Sequence, residues 1–144
     1  MHRKGNFREA IALYSKAIES DNRQVMAYQM RAAAWQKIRQ YQKAISDYSM
    51  VINLGESHFQ AVGYFNRGVV KNMSGDYAGA IPDFTQAITI DRKIAAAFFH
   101  RGVARLKTGD STGSLADLIQ AAKLGDPDAQ GWLDASMPDW RQMK

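Results

Sequence analysis

Cysteine is absent from all 144 residues, which removes disulfide frameworks, thiolate metal sites and cysteine nucleophiles together. Long apolar runs are also missing. The longest, Ile94 to Phe99, falls far short of the roughly 20 residues a bilayer-crossing helix needs, so no membrane partner is expected. The start, Met1-His2-Arg3-Lys4, is basic, but Ala10 to Ile18 includes Ser15 and Lys16 and ends at Glu19. No secretory apolar core forms there, and the expected location is cytoplasmic.

Constellations for chemistry are lacking as well. His2, His58 and His100 fall in different parts of the chain, with no Ser-His-acid, metal-ligand or phosphate-loop spacing around them. The stretches Gly63 to Gly68 and Gly75 to Gly79 read as packing and turn glycines rather than phosphate cradles. No catalytic residue, metal site or cofactor is expected. The formal net charge of +5 is spread along the chain, with basic and acidic residues interleaved. Its one dense basic group, His2 to Lys4 with Arg8, lies at a terminus, so the charge reads as solvated helix faces and argues against a nucleic-acid partner.

What is present is a repeat. Gly5-Asn6-Phe7-Arg8-Glu9-Ala10-Ile11, Arg39-Gln40-Tyr41-Gln42-Lys43-Ala44-Ile45 and Gly75-Asp76-Tyr77-Ala78-Gly79-Ala80-Ile81 align, and Gly109-Asp110-Ser111-Thr112-Gly113-Ser114-Leu115 is a weaker copy. The aromatic place recurs at Phe7, Tyr41, Tyr77 and Ser111, with spacings of 34, 36 and 34 residues. Each copy continues with Tyr14, Ala17, Ile18; Tyr48, Val51, Ile52; Phe84, Ala87, Ile88; or Leu118, Ala121, Ala122, at the steps of an amphipathic helix. Upstream, Tyr28 to Ala32, Tyr64 to Gly68 and Phe98 to Gly102 match one another as first helices. The unit is helix, short turn, helix.

Small residues mark the crossings: Ala32, Gly68 and Gly102 on the first helices, Ala10, Ala44 and Ala80 on the second. They let two backbones approach while Tyr and Phe fill the space beside them. Gly75-Asp76 and Gly109-Asp110 each supply a glycine to end one helix and an N-cap to start the next. Gly125-Asp126-Pro127 does the same for a last helix, with Pro127 at its first position. Ala129, Leu133 and Trp132 are placed to cover the last repeat, and Met137 to Lys144 reads as a frayed tail onto which Trp140 has the option of folding back.

This pattern of aromatic, small residue, Gly-Asp-Tyr turn, alanine and aromatic resembles the tetratricopeptide repeat and covers residues 5–124. The resemblance implies an all-α fold, a right-handed superhelical solenoid of antiparallel helix pairs. Its divisions are a partial first repeat at 1–24 holding only a second helix, repeats at 25–58, 59–94 and 95–126, a cap helix at 127–137 and a tail at 138–144. Proline is missing from the usual closing places, which hold Asn22, Glu56, Arg92 and Asp126. Pro82 falls inside a second helix, where a bend near Ala78 is expected. Gly55 to Gln60 is two residues longer than its counterparts.

The resemblance also implies a function: a non-catalytic scaffold that binds a protein or peptide in a concave groove lined by first helices. The groove places are Met26, Gln29, Met30, Ala33 and Gln36; Val62, Phe65, Asn66, Val69, Asn72 and Met73; and Phe99, His100, Val103 and Lys107. Phe65 and Phe99 have two readings, as anchors for a ligand or as packing between adjacent repeats. Relatives that clamp a carboxylate tail use Lys, Asn and Arg at places that here hold Gln29, Ala33, Asn66, Ala96 and His100. Only Asn66 agrees, which argues against such a clamp. The recurring Arg31, Arg67 and Arg101 are expected to pair with Asp47, Asp83 and Asp117 rather than to bind ligand. Finally, a second helix without its partner leaves an edge, Phe7, Ile11, Tyr14 and Ile18, through which two copies would pair as a homodimer. Self-association of a longer array through that edge is the alternative function.

Overall fold

The computed structural model describes residues 4–143. Eight α-helices follow one another: α1 (Lys4–Ser20), α2 (Val25–Lys37), α3 (Tyr41–Leu54), α4 (Ser57–Met73), α5 (Tyr77–Ile90), α6 (Ala95–Lys107), α7 (Ser111–Lys123) and α8 (Pro127–Ser136). A short 3₁₀ helix, Pro138–Gln142, closes the described chain, which has no strand among the described residues. The protein is all-α.

Four of the turns use one device. Gly75, Gly109 and Gly125 have φ of +89°, +94° and +101°, and the residue after each donates its backbone N–H back into the preceding helix, as Asp76 does to the Lys71 carbonyl at 2.8 Å. A left-handed residue is what lets the chain reverse there while satisfying the last carbonyls. Arg39 stands at the fourth such place and takes φ of 67° despite its Cβ. Asp76, Asp110 and Asp126 then cap the next helix, accepting from the N–H of Gly79, Gly113 and Ala129. At Gly79 and Gly113 a Cβ would lie 2.2 Å from the capping carboxylate, so the third position after these two caps stays bare.

Helix packing follows from the small residues. Ala32 and Ala44 are fully buried against each other's helices. A Cβ on Gly68 would come within 2.8 Å of the Phe84 ring, and one on Gly102 within 3.2 Å of the Ser114 carbonyl. Thus α2 lies on α3, α4 on α5 and α6 on α7, while α1, α3, α5 and α7 each pack on the helix that follows them. First helices also touch along the array, α2 with α4 and α4 with α6. That closer spacing puts α2, α4 and α6 on the inside of the curve, the arrangement of a helical solenoid.

Several expectations change here. Gly5-Asn6 is not a turn, because α1 is already helical from Lys4; the expected residues of a preceding helix, 1–3, lie outside the described residues. The two extra residues near Gly55 are taken up as an added first turn of α4 rather than as loop, since α4 starts at Ser57. Pro82 sits inside α5, which runs unbroken from Tyr77 to Ile90. The end of the chain is not a frayed tail: Trp140 is only 3% exposed, and its indole N–H donates 2.8 Å to Asp134. Burying so large an apolar ring drives the fold-back. Trp132, expected to cover the last repeat, is instead exposed, and Ala129 and Leu133 do the covering.

Candidate protein-docking surface

The recurring arginines are bound internally. Arg31 donates from Nε and Nη2 to both oxygens of Asp47, each at 2.7 Å; Arg67 does so to Asp83 at 2.9 and 2.7 Å and Arg101 to Asp117 at 2.9 and 2.8 Å. The three acids are buried. Paired this way, each carboxylate is matched bidentately, and the hydrogen bond to its acid raises the Arg31 and Arg67 guanidinium pKa above the ordinary value. Lys71 adds a second cation to Asp83 at 3.1 Å and Arg105 one to Asp117 at 2.9 Å.

One member of this constellation escaped sequence reasoning. The remaining nitrogen, Nη1, reaches the preceding second helix, donating to Ser15 from Arg31 at 3.1 Å, to Ser49 from Arg67 at 3.0 Å and to Thr85 from Arg101 at 3.2 Å. The signal was available: a hydroxyl residue eight places after Phe7, Tyr41 and Tyr77. These arginines link neighbouring repeats and offer no anion ladder.

The groove residues divide into an open and a closed part. Met26, Met30 and Met73 are 52%, 42% and 50% exposed, and Lys107 is exposed beside them in register. Gln29, Ala33, Gln36, Val62, Asn66, Val69 and Val103 are half-buried. Toward α6 the surface is filled by its own rings. Phe65 lies 6.0 Å from Phe84 and 5.8 Å from His100, His100 stacks on Phe84 at 5.9 Å, and Phe99 meets His100 edge-on at 5.4 Å. Of the two readings of Phe65 and Phe99, both side chains pack against the core shared by α5, α6 and α7.

Burial among those rings lowers the His100 pKa below the usual 6.5, with Asp126 and Asp128 pulling weakly the other way. Asn72 donates to the His100 carbonyl at 3.2 Å. Two buried acceptors on the groove helices, Gln29 Oε1 and Asn72 Oδ1, have no protein donor. Gln36 accepts from the Tyr48 hydroxyl at 3.1 Å, and burial pushes the Tyr48 phenol up to about 12.

At the N-terminal end the structure joins two sets of residues that the sequence kept apart. A pocket of about 340 Å³ is lined by Asn6, Phe7, Ala10 and Tyr14 of α1 and by Met30, Ala33, Ala34 and Lys37 of α2. The groove therefore runs into the edge of α1. Ile11, counted in that edge, is not available to a partner, because it is buried against Ala34 and Ile38. Phe7 packs partly into the same cluster, and Ile18 is half-buried. The amphipathic pattern gave the apolar side of α1 without saying how much of it α2 would cover.

With the helix pairs, their capped turns and their crossings in place, comparison with known proteins is direct. The tetratricopeptide repeat model matches residues 61–94, the span of α4 and α5. By fold the chain is a helical solenoid of the tetratricopeptide repeat kind. Human tetratricopeptide repeat protein 28 (Homo sapiens) is 35% identical over 89 residues, which is 62% of this chain and 4% of that protein. Hsc70-interacting protein 1 of Drosophila melanogaster is 34% identical over 85 residues, 59% of this chain and 22% of that protein. This tetratricopeptide repeat array thus spans a small part of the curated relatives it matches. Among solved structures, MamA superposes with a TM-score of 0.78 at 20% identity, covering 85% of this chain and 70% of that one. The second repeat domain of Spaghetti (RPAP3), bound to the HSP90 peptide SRMEEVD, gives 0.67 at 28% identity, covering 72% and 94%. The first supports the fold, and the fold of a tetratricopeptide array is that of a protein-interaction scaffold.

Proposed function

We propose that this chain docks a partner segment along the inner face of α2 and α4, on the open stretch from Met26 and Met30 to Met73. The observation that carries this reading is the exposure of these three methionines on the first helices, where unbranched, polarizable side chains adapt to an apolar partner surface. Asn66 lies on α4 of the same face and supplies polar contacts to a partner's backbone. The docked segment is apolar-faced. An acidic peptide such as the HSP90 peptide SRMEEVD bound by Spaghetti (RPAP3) lacks cationic partners here, since Gln29, Ala33, Ala96 and His100 stand at the other clamp places. The scaffold performs no chemistry of its own.

Selection of binders from a displayed library of amphipathic peptides tests this. Binders should lose affinity to Met30→Glu and Met73→Glu variants and keep it for a Thr89→Glu control on the outer helix α5. Binders indifferent to both methionine substitutions would remove the groove as the working surface.

A further inference from the structure

Met73 ends α4 with its side chain half in solvent, yet its sulfur has a polar neighbour. The Gln36 amide of α2 donates from Nε2 to Met73 Sδ at 3.3 Å. That amide is held in one orientation, because its Oε1 accepts from the Tyr48 hydroxyl at 3.1 Å, which turns the Nε2 end toward the sulfur. A thioether is only a weak acceptor, so a full amide donor is spent on a partner that returns little. One oxygen added to this sulfur would put a strong acceptor in the same place. The rest of the chain directs an oxidant there. With no cysteine in the sequence, thioethers are its most readily oxidised side chains. Met73 is 50% exposed, whereas Met50, Met137 and Met143 are half-buried, the last two against the core.

We infer that Met73 is an oxidation site whose sulfoxide is held by Gln36, and that its conversion switches docking on the inner face off. The sulfur lone pair attacks one oxygen of a hydroperoxide. The S–O bond forms as the O–O bond breaks, and the departing oxygen takes up the proton of the transferred one. With hydrogen peroxide the products are methionine sulfoxide and water; sulfur gives up two electrons and the peroxide gains them. The new oxygen accepts from Gln36 Nε2 and ties the end of α4 to α2 more firmly than the sulfur did. The effect on docking rests on the groove reading, in which Met73 adapts its unbranched chain to an apolar partner. Oxidation removes both properties: Gln36 pins the side chain, and a partner must strip water from the sulfoxide oxygen to cover it.

Graded hydrogen peroxide followed by peptide mapping tests the site. Met26 and Met30 are comparably open, so the chain used carries Met26→Leu and Met30→Leu, which keep those places apolar. The Met73 sulfoxide should form well before those of Met50, Met137 and Met143. In the nuclear magnetic resonance spectrum the Gln36 side-chain amide should move downfield on oxidation, and should stay in place when Met73→Leu is added. A peptide selected on the same reduced chain should bind roughly tenfold more weakly after oxidation. Methionine sulfoxide reductase should restore its affinity, and with Met73→Leu added peroxide should leave it unchanged. Met73 oxidising no faster than the half-buried methionines, an unmoved Gln36 amide, or an affinity indifferent to oxidation would each overturn the inference. The groove reading fails separately, through binders indifferent to Met30→Glu and Met73→Glu in the unoxidised chain, and the mapping and the amide shift then still decide the site.

Discussion

Arg67 holds Asp83 with two hydrogen bonds of 2.9 and 2.7 Å across the α4–α5 crossing, and the same guanidinium donates 3.0 Å to Ser49 on α3. One side chain thus joins three helices and two repeats. Asp83→Ala would leave Arg67 and Lys71 facing a cavity without their anion. The expected cost is about 2–4 kcal/mol, at or below the usual range for a severed buried pair because both cations keep some solvent contact. Urea denaturation measures it. A loss within 0.5 kcal/mol, about what a neutral surface change gives, would show that the pair orients α4 without stabilising it.

The helix crossings rank the glycines. Gly68→Ala pushes a methyl against the Phe84 ring, whose neighbours Phe65 and His100 leave it little room, and should cost about 1–3 kcal/mol. Gly102→Ala, with 3.2 Å to its nearest neighbour, should cost less. Denaturation midpoints of the two variants give the order directly, and the reverse order would mean that the α4–α5 crossing can relax.

Arg39 occupies the left-handed place that glycine fills in the other three turns of its kind. Arg39→Gly should raise stability by about 1 kcal/mol by removing the Cβ clash, since the bond it gives up, Arg39 to the Tyr41 hydroxyl at 3.3 Å, is exposed and weak. Thermal unfolding should show a higher midpoint. An unchanged or lower one would point to the added freedom of glycine in the unfolded chain.

His100 sets a pH dependence. Its folded pKa lies below the ordinary 6.5, so in acid the unfolded chain binds a proton that the folded one resists. Its contribution to stability is complete above that ordinary value and is lost as pH falls toward the lowered folded value. His100→Leu should flatten that part of the stability curve between pH 7.5 and 5 relative to the parent chain. Parallel curves would mean that the ring cluster opens to admit the charged imidazole.

The repeat period, the second helices and the Arg–Asp pairing were legible because each rests on local spacing repeated in register. The glycine turns were equally plain, since a left-handed residue followed by an aspartate cap has a fixed chemical signature. What was missed is tertiary. Whether Trp140 frays or folds back depends on its packing into the core cluster that holds Leu133, which no local pattern encodes. The share of α1 covered by α2 depends on helix rotation, which exposed Leu13 and hid Ile11. At the groove, Phe65 and Phe99 stood between two readings until neighbouring rings were placed around them.

The hydroxyl that receives each arginine gives the array a direction. Ser15, Ser49 and Thr85 each hand the chain on to the repeat that follows, and the next place in that series, on α7, is Ile119, buried and without a hydroxyl. A further repeat added after α7 would find no acceptor for its arginine and would have to displace α8 and Trp140. The linkage therefore polarises the array, tying each first helix to the repeat before it and finding no hydroxyl acceptor at that place on α7.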